Sequence, residues 1–82
     1  MPIRLPGPDA IRQRIAEEAA DIAAQPVELL RELLGPVEPA DAGGGGTASW
    51  RMSYYHGSHE QHAAIERAIA AVQRHEPLIR IP

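Results

Sequence analysis

The residues of this chain that could do chemistry crowd into one stretch, Tyr54-Tyr55-His56-Gly57-Ser58-His59-Glu60-Gln61-His62. Imidazole nitrogen and carboxylate oxygen both suit zinc, copper or nickel, so three histidines beside a glutamate raise the question of a metal site. On a helix that begins near Ser58, His59 and His62 stand three residues apart and share a face. His56, in the preceding turn, can fold back toward them, with Glu60 or Glu66 nearby. His56, His59 and His62 are therefore the candidate ligands for a divalent transition metal. Against that, His-Glu-Gln-His is one residue shorter than the metalloprotease pattern His-Glu-x-x-His, whose two histidines stand four apart. Exposed polar residues are also ordinary at a helix start, and His62 with Glu66 is an ordinary surface pair at i,i+4. The stronger expectation is a solvated or interface face, with no cofactor expected.

Nucleophilic catalysis finds less support. Ser53 or Ser58 could be paired with His56 or His59, but no Gly-x-Ser-x-Gly elbow surrounds either serine, and Ser58 reads as a helix cap. The chain has no cysteine, which removes a thiolate nucleophile, a disulfide framework and a Cys-based metal site. It also has no lysine, all eight basic residues being arginine, so a Schiff base and the P-loop lysine are both excluded. An enzyme acting alone is not expected.

The elements that must position these residues follow from composition and spacing. A chain of 82 residues makes at most one small domain and buries only about 60 to 65% of its unfolded surface. Fourteen alanines against three valines, eight isoleucines, six leucines, one tryptophan and no phenylalanine favour helices that approach closely over a thin core. Prolines at 2, 6 and 8 imply an extended arm, and Gly7-Pro8-Asp9 then opens a helix. Its apolar stripe is Ile11, Ile15, Ala19 and Ile22. Pro26 marks a kink or boundary before a short helix to Leu34, closed by Gly35-Pro36. Leu29, Leu30, Leu33 and Leu34 concentrate apolar surface there and are expected to meet a partner.

Residues 36–46, with two prolines and four consecutive glycines, read as a flexible linker. Alternation over Thr47–Tyr55 predicts one half-buried strand with Trp50, Met52 and Tyr54 on one face and Arg51 and Tyr55 on the other. Trp50, Met52, Tyr54 and Tyr55 join the leucines as expected packing or interface residues. Gly57 supplies a turn, and Ser58 with Gln61 makes a capping-box signature for a helix over 59–75 with the stripe Ile65, Ala68, Ile69 and Val72. Leu78-Ile79-Arg80-Ile81 follows as a short extended tail. Arg51 to Tyr55, a turn, and Glu60 to Val72 resemble the strand-to-helix unit near the C-terminus of pyridoxal-dependent aminotransferases and desulfurases, and the order helix, strand, helix is loosely similar to small phage head-completion proteins. Neither resemblance assigns a family.

The expected architecture is thus mainly α with a minor β element: an N-terminal arm and helical hairpin or kinked helix over 1–35, a linker over 36–46, and a strand, helix and tail over 47–82, together one small domain. One strand needs a neighbour, because its backbone donors and acceptors must be paired. Leu78–Ile81, the same strand in a second copy, or the edge of a partner's sheet are the three possibilities. A net charge of −3 gives no basic face for nucleic acid. With neither a signal-like stretch at the N-terminus nor a long apolar run, no membrane association is expected and the cytoplasm is the expected location. Function is expected to be a noncatalytic assembly or accessory subunit, partnered by itself or by a larger protein. The alternatives are a small histidine-based metal-binding protein and a regulatory subunit that completes another chain's enzyme.

Overall fold

Pro8 opens the first helix because its fixed φ suits a helix start and its missing N–H would have had no partner there. In the computed structural model, which describes residues 5–40 and 49–79, α1 spans Pro8–Ala23 with Gly7 as its N-cap and Asp9 in its first turn. The helix stops two residues before Pro26. Ala24 turns into the left-handed region at φ 55°, and the N–H groups of Ala24 and Gln25 both return to the Ala20 carbonyl. Pro26 then serves as the N-cap of α2, Val27–Leu33. The end of α2 is closed from outside: the Arg12 guanidinium on α1 donates to the carbonyls of Arg31 at 2.8 Å and Leu34 at 3.1 Å. The Arg31 carbonyl also accepts from the Leu34 N–H at 3.3 Å, so the guanidinium adds a second donor at the helix end.

The third helix, α3, spans His59–His75, and its capping box forms as the sequence predicts. Ser58 Oγ accepts from the Gln61 N–H, and Gln61 Oε1 accepts from the Ser58 N–H at 2.8 Å. Gln61 also donates to Gln25 Oε1 at 3.0 Å, tying the start of α3 to the end of α1. Arg14 lies 3.9 Å from Glu76 at the opposite end, so α1 and α3 run antiparallel.

The strand finds its neighbour inside the stretch expected to be linker. β1, Glu38–Pro39, pairs antiparallel with β2, Trp50–Arg51, in the register Glu38 to Arg51 and Pro39 to Trp50. A further bridge joins Leu34 to Tyr55 in the same register, Ala40 donates to the Ser49 carbonyl at 2.8 Å, and His56 donates to that of Leu33 at 2.7 Å. Residues 34–40 and 49–55 are therefore the two arms of one hairpin. This corrects the expectation of a flexible 36–46: residues 36–40 are an arm, and 41–46 lie outside the described residues, as do Thr47 and Ala48 of the predicted strand. Because Ala40 bonds across to Ser49, the neighbouring Pro39–Trp50 pair turns its backbone polar groups outward. Pro39 stands where a strand donor would face the open edge, a position that suits a residue with no N–H. On the other side, Gln73 Nε2 donates to the Trp50 carbonyl at 3.0 Å. The tail also contributes: Ser49 N–H bonds to Pro77, and Ile79 N–H to Ser49 Oγ. Ile79 points inward and Leu78 outward, while Arg80 and Ile81 lie outside the described residues.

One core joins both halves of the chain. Ile11, Ile15, Ala16 and Ala19 of α1, Leu30 of α2, Trp50 and Met52 of the hairpin, and Ile65, Ala68 and Val72 of α3 are all buried in a single cluster. Among the described residues the fold is mainly α, three helices with a two-stranded antiparallel sheet, in agreement with the composition. No helix among the described residues is long and apolar enough to cross a membrane.

Two exchanges of the same residue types test this geometry in opposite directions. Ala24→Gly relieves a left-handed alanine and is expected to raise stability by roughly 0.5 to 1 kcal/mol. At Gly35, a β-carbon would collide with the Tyr54 carbonyl of the facing arm, so Gly35→Ala is expected to lower stability by about 1 to 3 kcal/mol. Urea titration followed by circular dichroism measures both. Equal and small effects would contradict the assigned hairpin register.

Candidate functional site

The histidine-rich turn is divided among different neighbours. His56 belongs to the hairpin's second arm, and its ring stands edge-on to Tyr54 with centroids 4.8 Å apart. His62, in the first turns of α3, stands edge-on to Tyr55 at 5.0 Å. His59 is exposed at the first helical position. The bond from His56 N–H to Leu33 fixes the arm before the helix starts, and the rings of His56 and His62 then pack against different tyrosines while His59 stays exposed. Among the described residues no group of three or more His, Asp or Glu is placed to hold a metal ion. The arrangement in which His56, His59 and His62 would converge as candidate ligands is not found among the described residues.

Around Tyr55 a small polar cluster does form. Its hydroxyl donates to Glu66 Oε1 at 3.0 Å, and His62 lies against its ring. Partial burial raises the Tyr55 hydroxyl above its ordinary range, and the hydrogen bond to Glu66 and the glutamate's charge push the same way. This arrangement holds a neutral phenol. It fastens the hairpin to α3 and places no group that would activate a nucleophile.

The apolar residues expected at an interface separate into three groups. Leu30, Leu34, Trp50 and Met52 are buried in the chain's own core: for Leu30 and Leu34 this differs from the partner-facing surface expected of the leucines, while Trp50 and Met52 take the packing role that is one of the two expected of them. Leu33 and Tyr55 are half-buried against that core. Leu29 and Tyr54 remain exposed, Tyr54 at 58%. The alternation expected over Thr47–Tyr55 fails at Tyr54, which turns out against Gly35 and His56 rather than following Met52 inward.

A groove of about 340 Å³ opens between the end of α1 and the first half of α3. Ile22 and Gln25 line one wall, Ala63 and Ala64 the floor, and Glu60 and Arg67 the ends along α3. Ile22 lies within about 20° of Ile11 and Ile15 at 100° per residue, on the face that elsewhere is core. It is nonetheless 41% exposed. What it meets on α3 are the small side chains of Ala63 and Ala64, which leave a recess instead of filling it. The spacing puts Ile22 on the apolar stripe of α1, yet the structure leaves it exposed; the signal that spacing lacks is the pair of alanines opposite, visible only once α1 and α3 are set antiparallel. A second, shallower depression beside Arg12, Glu28, Arg31 and Glu32 is charged throughout, and Arg12 there is already engaged in capping α2.

Comparison with protein-family models, curated proteins and solved structures finds no match to this chain. The groove and the Tyr55 cluster therefore stand on their own geometry. No charged side chain is buried among the described residues, and the one concave apolar surface described above is the α1–α3 groove.

The Tyr55 cluster predicts a direction in pH. The fold favours the neutral phenol, so the stability this group contributes is present below the ordinary tyrosine value of about 10 and is lost as pH rises through the elevated value. With Tyr54→Phe as background, absorbance titration of the remaining tyrosine is expected to give a midpoint above that ordinary value. Glu66→Gln should bring the midpoint down. A midpoint at or under the ordinary value in the Tyr54→Phe protein would mean that the contact with Glu66 does not persist in solution.

Proposed function

We propose that this chain is a noncatalytic protein–protein interaction module, an assembly or accessory subunit whose partner is a second copy or a larger protein. The observation that supports this is Ile22: a large aliphatic side chain on a core-facing stripe, left open in a groove of about 340 Å³ with an alanine floor and a polar rim. Apolar centres with charged or amide rims are how protein interfaces are built. Leaving such a side chain wet forgoes part of the roughly 1.5 to 3 kcal/mol that full burial of an isoleucine contributes. In a domain whose whole stability is of order 5 kcal/mol, that is a large share to leave unused. Leu29, Tyr54 and Leu78 add further exposed apolar surface on other sides.

This reading differs in its basis from the one drawn from sequence alone. The strand, with Glu38–Pro39 across from it, no longer requires an outside partner. The groove takes over as the feature that calls for one. Its test is the native size of the chain, measured by sizing fresh lysate at the natural level of expression and detecting the chain by antibody. Elution well above 8.9 kDa, abolished by Ile22→Asp while the purified variant keeps its helical circular dichroism, is the expected outcome. Elution of the wild-type chain as an isolated folded monomer would sink the reading.

A further inference from the structure

We infer that the occupant of the α1–α3 groove is a second copy of this chain, docked with its α3 antiparallel to the first. The inference rests on the interaction role proposed above and names the partner for it. Along α3 the groove is marked by Glu60 at one end and Arg67 at the other, with Ala63 and Ala64 between them. Glu60, Ala63, Ala64 and Arg67 are spaced i, i+3, i+4 and i+7, so they share one face. Glu60 and Arg67 are both exposed, and neither has an ion-pair partner among the described residues. Seven residues at 1.5 Å each separate these opposite charges by about 10.5 Å, roughly two turns.

That pattern is complementary to itself in one orientation. A two-fold axis passing beside Ala63 and Ala64 carries residue 60 of one copy opposite residue 67 of the other. Each Glu60 then faces the Arg67 of the second copy, giving two opposite-charge pairs in an isologous contact. A parallel arrangement would set glutamate against glutamate and arginine against arginine, so charge selects the antiparallel one. At the axis the exposed Ala63, with the buried Ala64 beneath the groove beside it, presents only a methyl group to the facing helix and so permits a close approach. Ile22, on the wall of the groove, is carried by the same axis toward the recess of the other copy. The core stripe of α1 is thereby completed across the two-fold. The charges set orientation, and burial of the exposed part of each Ile22, with the groove around it, contributes the apolar share of the contact.

The experiment is sedimentation equilibrium of the full chain over a wide concentration range, with circular dichroism to confirm that each variant is folded. The wild-type chain is expected to approach twice 8.9 kDa. R67E places like charges at both contacts and is expected to weaken the dimer at least tenfold, as is E60R. The double variant E60R with R67E restores opposite charges in the reversed order and is expected to recover dimerisation to within a fewfold of the wild type. Ile22→Ala should weaken the dimer without changing its response to salt. A wild-type chain that stays monomeric throughout overturns the inference, and so does a dimer that R67E and E60R leave unchanged. A chain that is monomeric when pure but runs at high native mass in lysate overturns this inference while leaving the interaction role standing, which keeps the two results distinguishable.

Discussion

The burial of Trp50 is the constraint on which the rest of the fold depends. It is the only tryptophan in a chain without phenylalanine, and its side chain is 0% exposed. An indole buries some 150 to 250 Å², worth about 4 to 6 kcal/mol at 25 cal/mol per Å², a sum close to the whole stability of a small domain. Burial on that scale requires a partner for the indole N–H, because a buried donor left alone costs about 1 to 3 kcal/mol. The carbonyl of Glu76 supplies it at 2.7 Å. Glu76 is the C-cap of α3, so its carbonyl belongs to the set that a helix end leaves free. The end of the helix and the centre of the hairpin therefore satisfy each other.

From that contact the remaining arrangement follows. With Trp50 anchored to the C-terminal end of α3, the hairpin must lie along the helices and not beside them, which brings Met52 inward and sets Tyr55 against Glu66 and His62 further back on α3. The first arm, carried along by its pairing, draws Leu34 into the same core. Alanine does the complementary work on the helices. Ala16, Ala19 and Ala68 let α1 and α3 come together where the facing residues are isoleucines. The same property produces the groove. At Ala63 and Ala64 the large apolar side chain on the wall of α1 is Ile22, and small residues beside a large one leave a recess.

The parts of this structure legible in the sequence are those fixed by neighbours in the chain. Gly7-Pro8, Gly57 and the Ser58–Gln61 box each act over three or four residues, and each appears where its residue types demand. The hairpin was illegible because its first arm carries Pro36 and Pro39, which count against a strand by every local criterion. Pro39 is tolerated because its position in the register turns the missing donor outward, a fact about pairing between residues eleven apart. The burial of Leu30 and Leu34, expected on a partner-facing surface, was illegible for the same reason. Their hydrophobicity was plain, but which surface would cover them was a question of long-range pairing. The histidines show the limit from the other side: their density along the chain says nothing of direction, and His56 and His62 are claimed by different tyrosines while His59 is left exposed.

The satisfied backbone also limits how this molecule can meet another. Strand addition works through a row of free donors and acceptors on a sheet edge. Here one side of β2 is occupied by β1, while Gln73 takes the outward carbonyl of Trp50 and Pro77 accepts from Ser49. The outer edge of β1 presents Pro39, which has no hydrogen to donate. In the interaction role proposed above, recognition would fall to side chains on the helices, where Ile22 of α1 borders an apolar recess and Glu60 and Arg67 of α3 place charges of both signs along it. An arrangement of that kind discriminates by orientation: the apolar contact would be available to many surfaces, but the order of the charges along α3 admits only those that carry the reverse order at the same spacing.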